Sequence, residues 1–180
     1  MDFTHCVVDL ETGDTDPGRG LVLQISAVKF NPITRAVSHD FFDRCLLPQP
    51  NRRWDEGTRE WWMKRKDVLQ GIMTRMEDTK PVLEALSAWA GYTGMTMWAK
   101  PTHFDHSFLS SLYKDYGLQI PFHFRQANDM NSFARGVYWP EEPPQWEKIL
   151  PFEGEVHNAL HDCLHQLRVI YCLLDKKAAP

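Results

Sequence analysis

The first 46 residues hold three strand-forming segments joined by short turns, and this succession limits the folds open to the chain. Residues 4–10 (THCVVDL) are β-branched and apolar and run into the loop sequence ETGDTDPGRG. Residues 21–30 (LVLQISAVKF) predict a second strand, NPITR a turn, and residues 36–46 a third strand. Strands joined by such short connections pair antiparallel. We therefore expect an antiparallel meander at the beginning of the fold.

Helical periodicity follows, interrupted by short strand-like segments. Thr58 suits the N-cap of a helix over REWWMKR, and a later helix opens on Pro81. Residues 95–99 predict a strand, residues 104–116 a helix ended by Gly117, and residues 123–127 a further strand. Helices are predicted over residues 130–137 and 156–174. This mixture predicts an α/β fold.

Length and composition predict one globular domain. The chain has 180 residues, 43% of them hydrophobic and 24% charged, and no flexible linker divides it. We expect a single domain over residues 1–175 and a frayed tail, KKAAP, over residues 176–180. The net charge of −4 argues against a DNA-packaging protein or repressor, whereas acidic metal ligands remain compatible with a nuclease.

The sequence also indicates a reducing compartment. Its four cysteines show neither CxxC nor zinc-ligand spacing, which predicts reduced thiols. The first residues lack a basic leader followed by an apolar run, and no apolar stretch approaches the roughly 18 residues of a membrane span. We expect a cytoplasmic protein without a membrane partner.

Two carboxylates, Asp9 and Glu11, end the first predicted strand. Residues two apart on a strand project to the same face, so both can converge on one cation. Their oxygen ligands after an apolar run favour Mg²⁺ or Mn²⁺ over zinc. Taken alone, the pair fits a solvated turn equally well. Asp105 offers a further carboxylate, because a strand, a loop and a helix start in succession place a side chain at the open edge of a sheet. Helix capping is the alternative for Asp105.

The segment VHNALHDC brings His157 and Asp162 five residues apart. At about 100° per residue, a regular helix would separate these side chains by roughly 140°. They can serve one site only if His157 precedes the helix and Asp162 lies one turn inside it. A histidine in such a segment suits a general base that engages when substrate arrives.

Other polar and aromatic pairs have less specific patterns. His161 and His165 share a helix face, but no HExxH signature accompanies them, which favours surface or packing roles over zinc binding. Trp61 and Trp62 are adjacent, so one ring can pack inward while the other faces a site or solvent. Base stacking by one of them stays open.

The motifs VVDLET, WAKPTHFD and HNALHDC span residues 7–163, and their order and spacing resemble those of DEDDh exonucleases of the DnaQ-like superfamily. The resemblance implies an RNase H-like α/β fold whose mixed five-stranded sheet has three antiparallel and two parallel strands flanked by helices. TxxWW at Thr58–Trp62 and the short chain are similar to a phage and bacterial subgroup of small exoribonuclease-like proteins.

The resemblance also assigns roles to the acidic residues and the histidine. It implies that Asp9, Glu11 and Asp162 bind the cation that positions the attacking water, with Asp9 bridging to a second cation. Asp105 would support this second site, and His157 would deprotonate the water. The implied cofactors are two divalent cations, Mg²⁺ or Mn²⁺. All five residues are thus implied to be catalytic.

The substrate implied by the resemblance is single-stranded DNA or RNA with a free 3′ end, released as nucleoside 5′-monophosphates. Leu10 and Thr12 would contact the terminal nucleotide, although a turn-forming hydroxyl is an equal alternative for Thr12. Phe104 or Trp98 could wedge against a base or belong to the core.

Two other functions remain open on the same fold. One is a catalytically silent nucleic-acid-binding module, against which the intact acidic set argues. The other is a phosphodiesterase of short oligonucleotides, because loops that no motif describes set substrate length. The choice between DNA and RNA is equally open, as is that between a monomer and a homodimer.

Overall fold

A computed structural model describes residues 3–91 and 95–178 and confirms the antiparallel meander. The strands are β1 (His5–Thr12), β2 (Val22–Phe30) and β3 (Phe42–Leu46). β2 pairs antiparallel with both of its neighbours. The predicted third strand began at residue 36, but only an isolated bridge joins Val37 to Phe30 there. The Ser38 hydroxyl accepts a hydrogen bond from the Asp40 N–H. This turn precedes β3, which begins at Phe42.

The sheet is mixed, as predicted, but it has six strands rather than five. β4 (Met76–Glu77), β5 (Thr96–Ala99) and β6 (Ala127–Asp129) complete the order β4-β3-β2-β1-β5-β6. β5 pairs parallel with β1 and β6, whereas the two-residue β4 pairs parallel with β3 at the other edge. A strand as short as β4 carries too little pattern to be found in the sequence. The strand predicted over residues 123–127 is instead a 3₁₀ turn at Phe124–Gln126 followed by β6.

Seven helices surround the sheet in the described part of the chain. Asp55, and not Thr58, caps the first of them, because its carboxylate accepts from the Thr58 N–H at 2.9 Å. The helices are α1 (Glu56–Met63), α2 (Lys66–Met73), α3 (Thr79–Ala90), α4 (Thr102–Asp115), α5 (Met130–Tyr138), α6 (Trp146–Ile149) and α7 (Ala159–Ala178).

The last helix differs from its prediction at both ends. It begins at Ala159 rather than near residue 156, which leaves His157 outside it. It continues through Ala178, past the predicted end at residue 174, while residues 179–180 lie outside the described part. Lys176 and Lys177 suit the negative end of the helix dipole, and the Lys176 ammonium lies 4.3 Å from the centroid of the Tyr138 ring.

The two faces of the sheet bury separate cores. Alternate residues of β1 point to opposite faces, so Cys6, Val8 and Leu10 pack with α3 and α4, whereas Val7 packs with α5 and α7. A smaller cluster lies beneath α1 and α2 around Trp62. Among residues 3–91 and 95–178, no helix is both long and apolar enough to cross a membrane.

Candidate active site

Three carboxylates meet where β1 ends and α7 begins. Asp9 and Glu11 project from one face of β1, and Asp162 reaches them from the first turn of α7. One oxygen from each residue can be chosen so that all three lie within 4.8 Å of one another. We call Asp9, Glu11 and Asp162 the acidic trio. Oxygen ligands at this separation can hold a hard divalent cation.

Asp105 lies beside the acidic trio but outside it. It belongs to α4, which packs against the other face of the sheet, and its carboxylate accepts a hydrogen bond of 3.1 Å from the Leu10 N–H. Its side chain is 3% exposed. The four predicted acidic residues therefore meet at one end of β1. Three of them form the acidic trio, and Asp105 approaches from the other face of the sheet.

Burial and mutual repulsion govern the charges of the acidic residues. Burial, then the charges of Asp105, Glu11 and Asp162, raise the pKa of Asp9 well above its usual range. Burial likewise raises the pKa of Glu11, with further repulsion from Asp162 and Asp105. Burial alone raises the pKa of Asp105 to about 8 and that of Asp162 to about 6. Such a cluster ionises fully at neutral pH only when positive charge compensates it.

His157 lies directly before α7, where the five-residue spacing required it to be. Its backbone is left-handed, with φ of 66°, and its N–H donates to Oδ2 of Asp162 at 3.0 Å. Its ring makes an edge contact with Trp61, with centroids 4.6 Å apart, and Arg65 stacks on the same Trp61 ring at 3.6 Å. Burial, and then the charge of Arg65, lower the pKa of His157. The imidazole is therefore neutral at pH 7 and able to accept a proton.

Two further residues at this site escaped the sequence analysis. Gln166 Nε2 donates to Oδ1 of Asp9 at 2.7 Å, while its buried Oε1 has no hydrogen-bond partner in the described structure. Its position four residues after Asp162 on one helix face was a usable signal. Lys100 lines the cavity of about 370 Å³ that contains the acidic trio and His157. Its charge lowers the pKa of Asp162, against the larger effect of burial.

A second cavity, of about 490 Å³, adjoins the acidic trio and is mainly apolar. It shares Leu10 and Glu11 with the first cavity and is walled by Trp61 and Phe104. We call it the apolar pocket. Thr12 lines it too, but the Thr12 hydroxyl donates to the Asp14 carbonyl, the turn-forming role that the sequence left open.

The two aromatic alternatives separate in the structure. Both rings line the apolar pocket, but Trp62 is buried and its indole N–H donates to the Thr12 carbonyl at 2.9 Å, whereas Trp61 is partly exposed. Trp98 belongs to the core beneath α5 and α7. Of the two wedge candidates, only Phe104 therefore lines a cavity at the site.

The remaining histidines and cysteines play other parts. His161 Nδ1 accepts from the Glu155 N–H, and the His165 ring packs against Phe152 with centroids 5.0 Å apart. Neither belongs to the acidic trio. All four cysteines are free thiols, and burial raises the pKa of Cys45 to about 11. A thiol of such high pKa is a poor nucleophile.

Comparison with known proteins agrees with this geometry. Residues 4–174 match the family described as the 3′-5′ exoribonuclease Rv2179c-like domain. No curated protein matches the sequence significantly. Among solved structures, the nuclease domain of 3′hExo, a DEDDh family member bound to rAMP, has a TM-score of 0.72 at 16% identity, over 96% of this chain and 92% of that one.

Two further similar structures contain longer chains. Cell-death related nuclease 4 (CRN-4) has a TM-score of 0.72 at 17% identity, over 96% of this chain and 64% of that one. E. coli Exonuclease I in complex with an oligonucleotide has a TM-score of 0.67 at 15% identity, over 97% of this chain and 42% of that one. These likenesses confirm the fold predicted from the motifs.

Proposed function

The chain belongs to the Rv2179c-like family of 3′-5′ exoribonuclease domains, and from this membership we propose a single-strand-specific, metal-dependent exonuclease that releases nucleoside 5′-monophosphates. The convergence of Asp9, Glu11 and Asp162 within 4.8 Å is the observation that carries the proposal. RNA is the first substrate to test, because the family is described by that activity.

The chemistry of the acidic trio fits divalent cations. Its ligands are all carboxylate oxygens, which Mg²⁺ and Mn²⁺ prefer. Burial and repulsion oppose ionisation of Asp9 and Glu11, and a cation removes that penalty. The unpartnered Oε1 of Gln166 adds a buried acceptor beside Asp9, suited to a water in the cation's outer shell.

The acidic residues would divide between two cations. Asp9, Glu11 and Asp162 would hold one, while Asp9 and Asp105 would hold the second, directly or through water. Two bound cations supply charge neutralisation at the scissile phosphate and orientation of the attacking water. Asp105 also keeps the end of β1 in place through its bond with the Leu10 N–H.

His157 supplies the base in this proposal. Its neutral ring accepts a proton from the water that attacks phosphorus, and the leaving 3′ oxygen takes a proton from solvent. Trp61 supports the ring from one side, so the base has a defined resting position beside the acidic trio. The bond from the His157 N–H to Asp162 keeps this segment close to the site.

The apolar pocket suits the terminal nucleoside. Flat aromatic surfaces beside the acidic trio are offered by Trp61 and Phe104, and Leu10 adds an apolar side chain. Aromatic rings can stack with any of the bases. The 3′hExo nuclease domain was solved with rAMP and E. coli Exonuclease I with an oligonucleotide, and comparable ligands are proposed for this chain.

The test is a gel assay of 5′-labelled single-stranded RNA and DNA with Mn²⁺ and with EDTA. We expect stepwise shortening from the 3′ end that EDTA abolishes. Asp162→Ala should remove activity with the fold retained. Asp67→Ala, at an exposed position on α2, should leave activity unchanged. If neither RNA nor DNA is cleaved over a wide range of enzyme concentrations, the proposal is overturned. Mn²⁺ binding without turnover would identify a silent module, and turnover confined to dinucleotides a short-oligonucleotide phosphodiesterase.

A further inference from the structure

A third cavity lies on the other side of the first turn of α4. It has a volume of about 710 Å³ and opens between α4, the 3₁₀ turn and α5, beside the edge strand β6. Its lining residues come from the start of α4 (Pro101–His103), from Phe124 and Ala127, and from Ser132 and Arg135 on α5. We call it the edge pocket.

The side chains that line the edge pocket, together with His123 and Arg125 beside Phe124, combine positive charge with an exposed aromatic ring. Phe124 is 65% exposed, the His123 ring stacks on it at 4.5 Å, and the Arg125 guanidinium lies 5.4 Å from its centroid. Among the side chains that the structure describes, no carboxylate is within ion-pairing distance of Arg125 or Arg135. An aromatic platform beside unpaired guanidinium groups is the chemistry that binds single-stranded nucleic acid.

The one carboxylate lining the edge pocket is occupied. One oxygen of Asp129 accepts from the Thr102 N–H at 3.0 Å, and the other accepts from the N–H and the hydroxyl of Ser132, each at 2.8 Å. These bonds fix the starts of α4 and α5 against each other. Asp129 therefore shapes the pocket, and its negative charge is already shared by three donors.

The first turn of α4 contributes residues to both the edge pocket and the catalytic site. Thr102 and His103 line the edge pocket, Phe104 lines the apolar pocket, and Asp105 bonds to the end of β1. Lys100 lines the cavity of the acidic trio, and the next residue, Pro101, lines the edge pocket. A strand whose terminal nucleoside fills the apolar pocket can therefore pass Lys100 and continue into the edge pocket.

We propose that the edge pocket binds the nucleotides on the 5′ side of the two nucleosides that the scissile phosphate joins, with a base stacked on Phe124 and backbone phosphates beside Arg125 and Arg135. This inference rests on the proposed exonuclease function and adds a second binding region to it. The contacts are independent of sequence and sugar, because stacking and phosphate contacts read neither. The edge pocket would make the enzyme favour strands longer than a dinucleotide.

The experiment compares a single-stranded dodecamer with a dinucleotide in steady-state kinetics. The variants are Phe124→Ala and Arg135→Ala, singly and together. The matched controls are Phe41→Ala, directly before β3, and Arg44→Ala, on β3, near the opposite edge of the sheet. We expect the double variant to raise KM for the dodecamer about tenfold or more, with kcat and both dinucleotide parameters unchanged. The controls should match wild type. An equal change in KM for both substrates, or no change, would overturn the inference while the exonuclease function stands.

Binding of a fluorescent dodecamer in EDTA, followed by anisotropy, separates the two proposals. If wild type cleaves nothing, the proposed function fails, yet weaker dodecamer binding by the double variant still supports the edge pocket. The Arg135→Ala substitution should also reduce the slope of log affinity against log salt by about 0.7. Unchanged affinity in the double variant contradicts the inference. A dimer that the same variants dissociate in size-exclusion chromatography would overturn it by identifying the surface as a protein interface.

Discussion

The backbone N–H of His157 donates a hydrogen bond of 3.0 Å to Oδ2 of Asp162. His157 has left-handed backbone before α7, whereas Asp162 lies in the first turn of that helix. The bond connects the segment carrying the proposed base to a carboxylate of the acidic trio. The position of Asp162 and that of the His157 backbone therefore depend on each other.

Substituting His157 should separate catalysis from cation binding. We expect His157→Asn, which tolerates the left-handed backbone, to lower kcat by about 100-fold or more, since the proton acceptor is lost. The rise in Tm on adding Mn²⁺ should persist, because the acidic trio is intact. Kinetics and thermal unfolding measure the two effects, and His39→Asn at an exposed position is the control. Loss of the Mn²⁺ effect in His157→Asn would show that this residue serves the cation site instead.

The rate should also depend on pH through His157. Burial and Arg65 lower its pKa from the ordinary 6.5, so the ring is neutral above that value and protonated only at more acid pH. We expect kcat to hold between pH 7 and 8 and to fall only at pH values below the ordinary 6.5. Arg65→Ala removes the smaller of the two causes and should shift the fall toward higher pH. A shift in the opposite direction would contradict this account.

Removing one charge from the acidic trio should stabilise the metal-free protein while it abolishes activity. Asp9→Asn removes an ionisable group whose charge is opposed first by burial and then by repulsion from Asp105, Glu11 and Asp162, so the metal-free Tm should rise by several degrees, at about 2–4 °C per kcal/mol. Activity should fall at least about 100-fold, because a cation ligand is gone. Thermal unfolding in EDTA and the RNA assay test both halves, with Asp67→Asn as the matched control. A lower metal-free Tm would contradict the predicted gain in stability. Full activity would contradict the role of Asp9 as a cation ligand.

Stability of the metal-free protein should fall as the pH rises from about 4 to 8. Burial raises the pKa of Asp105 to about 8 and of Asp162 to about 6, so the folded state retains protons that the unfolded chain has released. The stabilisation is complete below about pH 4 and disappears as pH passes these folded-state values. Urea unfolding in EDTA at several pH values measures the trend. Saturating Mn²⁺ should reverse it near pH 8, and a pH-independent free energy of unfolding would contradict it.

Gln166 should act as a positioning residue for Asp9. Its Nε2 holds Oδ1 of Asp9 at 2.7 Å, and outer-shell partners of this kind change metal affinity by about 10–100-fold. We expect Gln166→Leu to weaken Mn²⁺ binding within that range, as measured by calorimetry, with kcat largely recovered at saturating Mn²⁺. Gln166→Asn tests whether the reach of the side chain matters, and Gln70→Leu on the surface of α2 is the control. Unchanged Mn²⁺ affinity in Gln166→Leu would leave Gln166 with a packing role only.

The sequence by itself determined the meander and the order of the motifs, and it required His157 to precede the last helix if His157 and Asp162 serve one site. Period-2 and period-3.6 patterns identify elements, and helix geometry alone excludes a regular helix from His157 to Asp162. These signals are local, so neighbouring residues suffice to read them. The start of β3 and both ends of α7 were misplaced. A turn at Ser38 precedes β3, and Lys176 near the end of α7 contacts the Tyr138 ring.

Tertiary structure alone decided which residues meet at the site. Asp105 reaches the end of β1 from the opposite face of the sheet, and Gln166 reaches Asp9 across 157 positions of sequence. The edge pocket likewise lies between the starts of α4 and α5, which Asp129 bonds to each other. Such relationships depend on how the helices pack against the sheet, and the burial that raises the pKa of the carboxylates comes from the same packing. The motifs thus named the acidic residues, while the packing set their charges and neighbours.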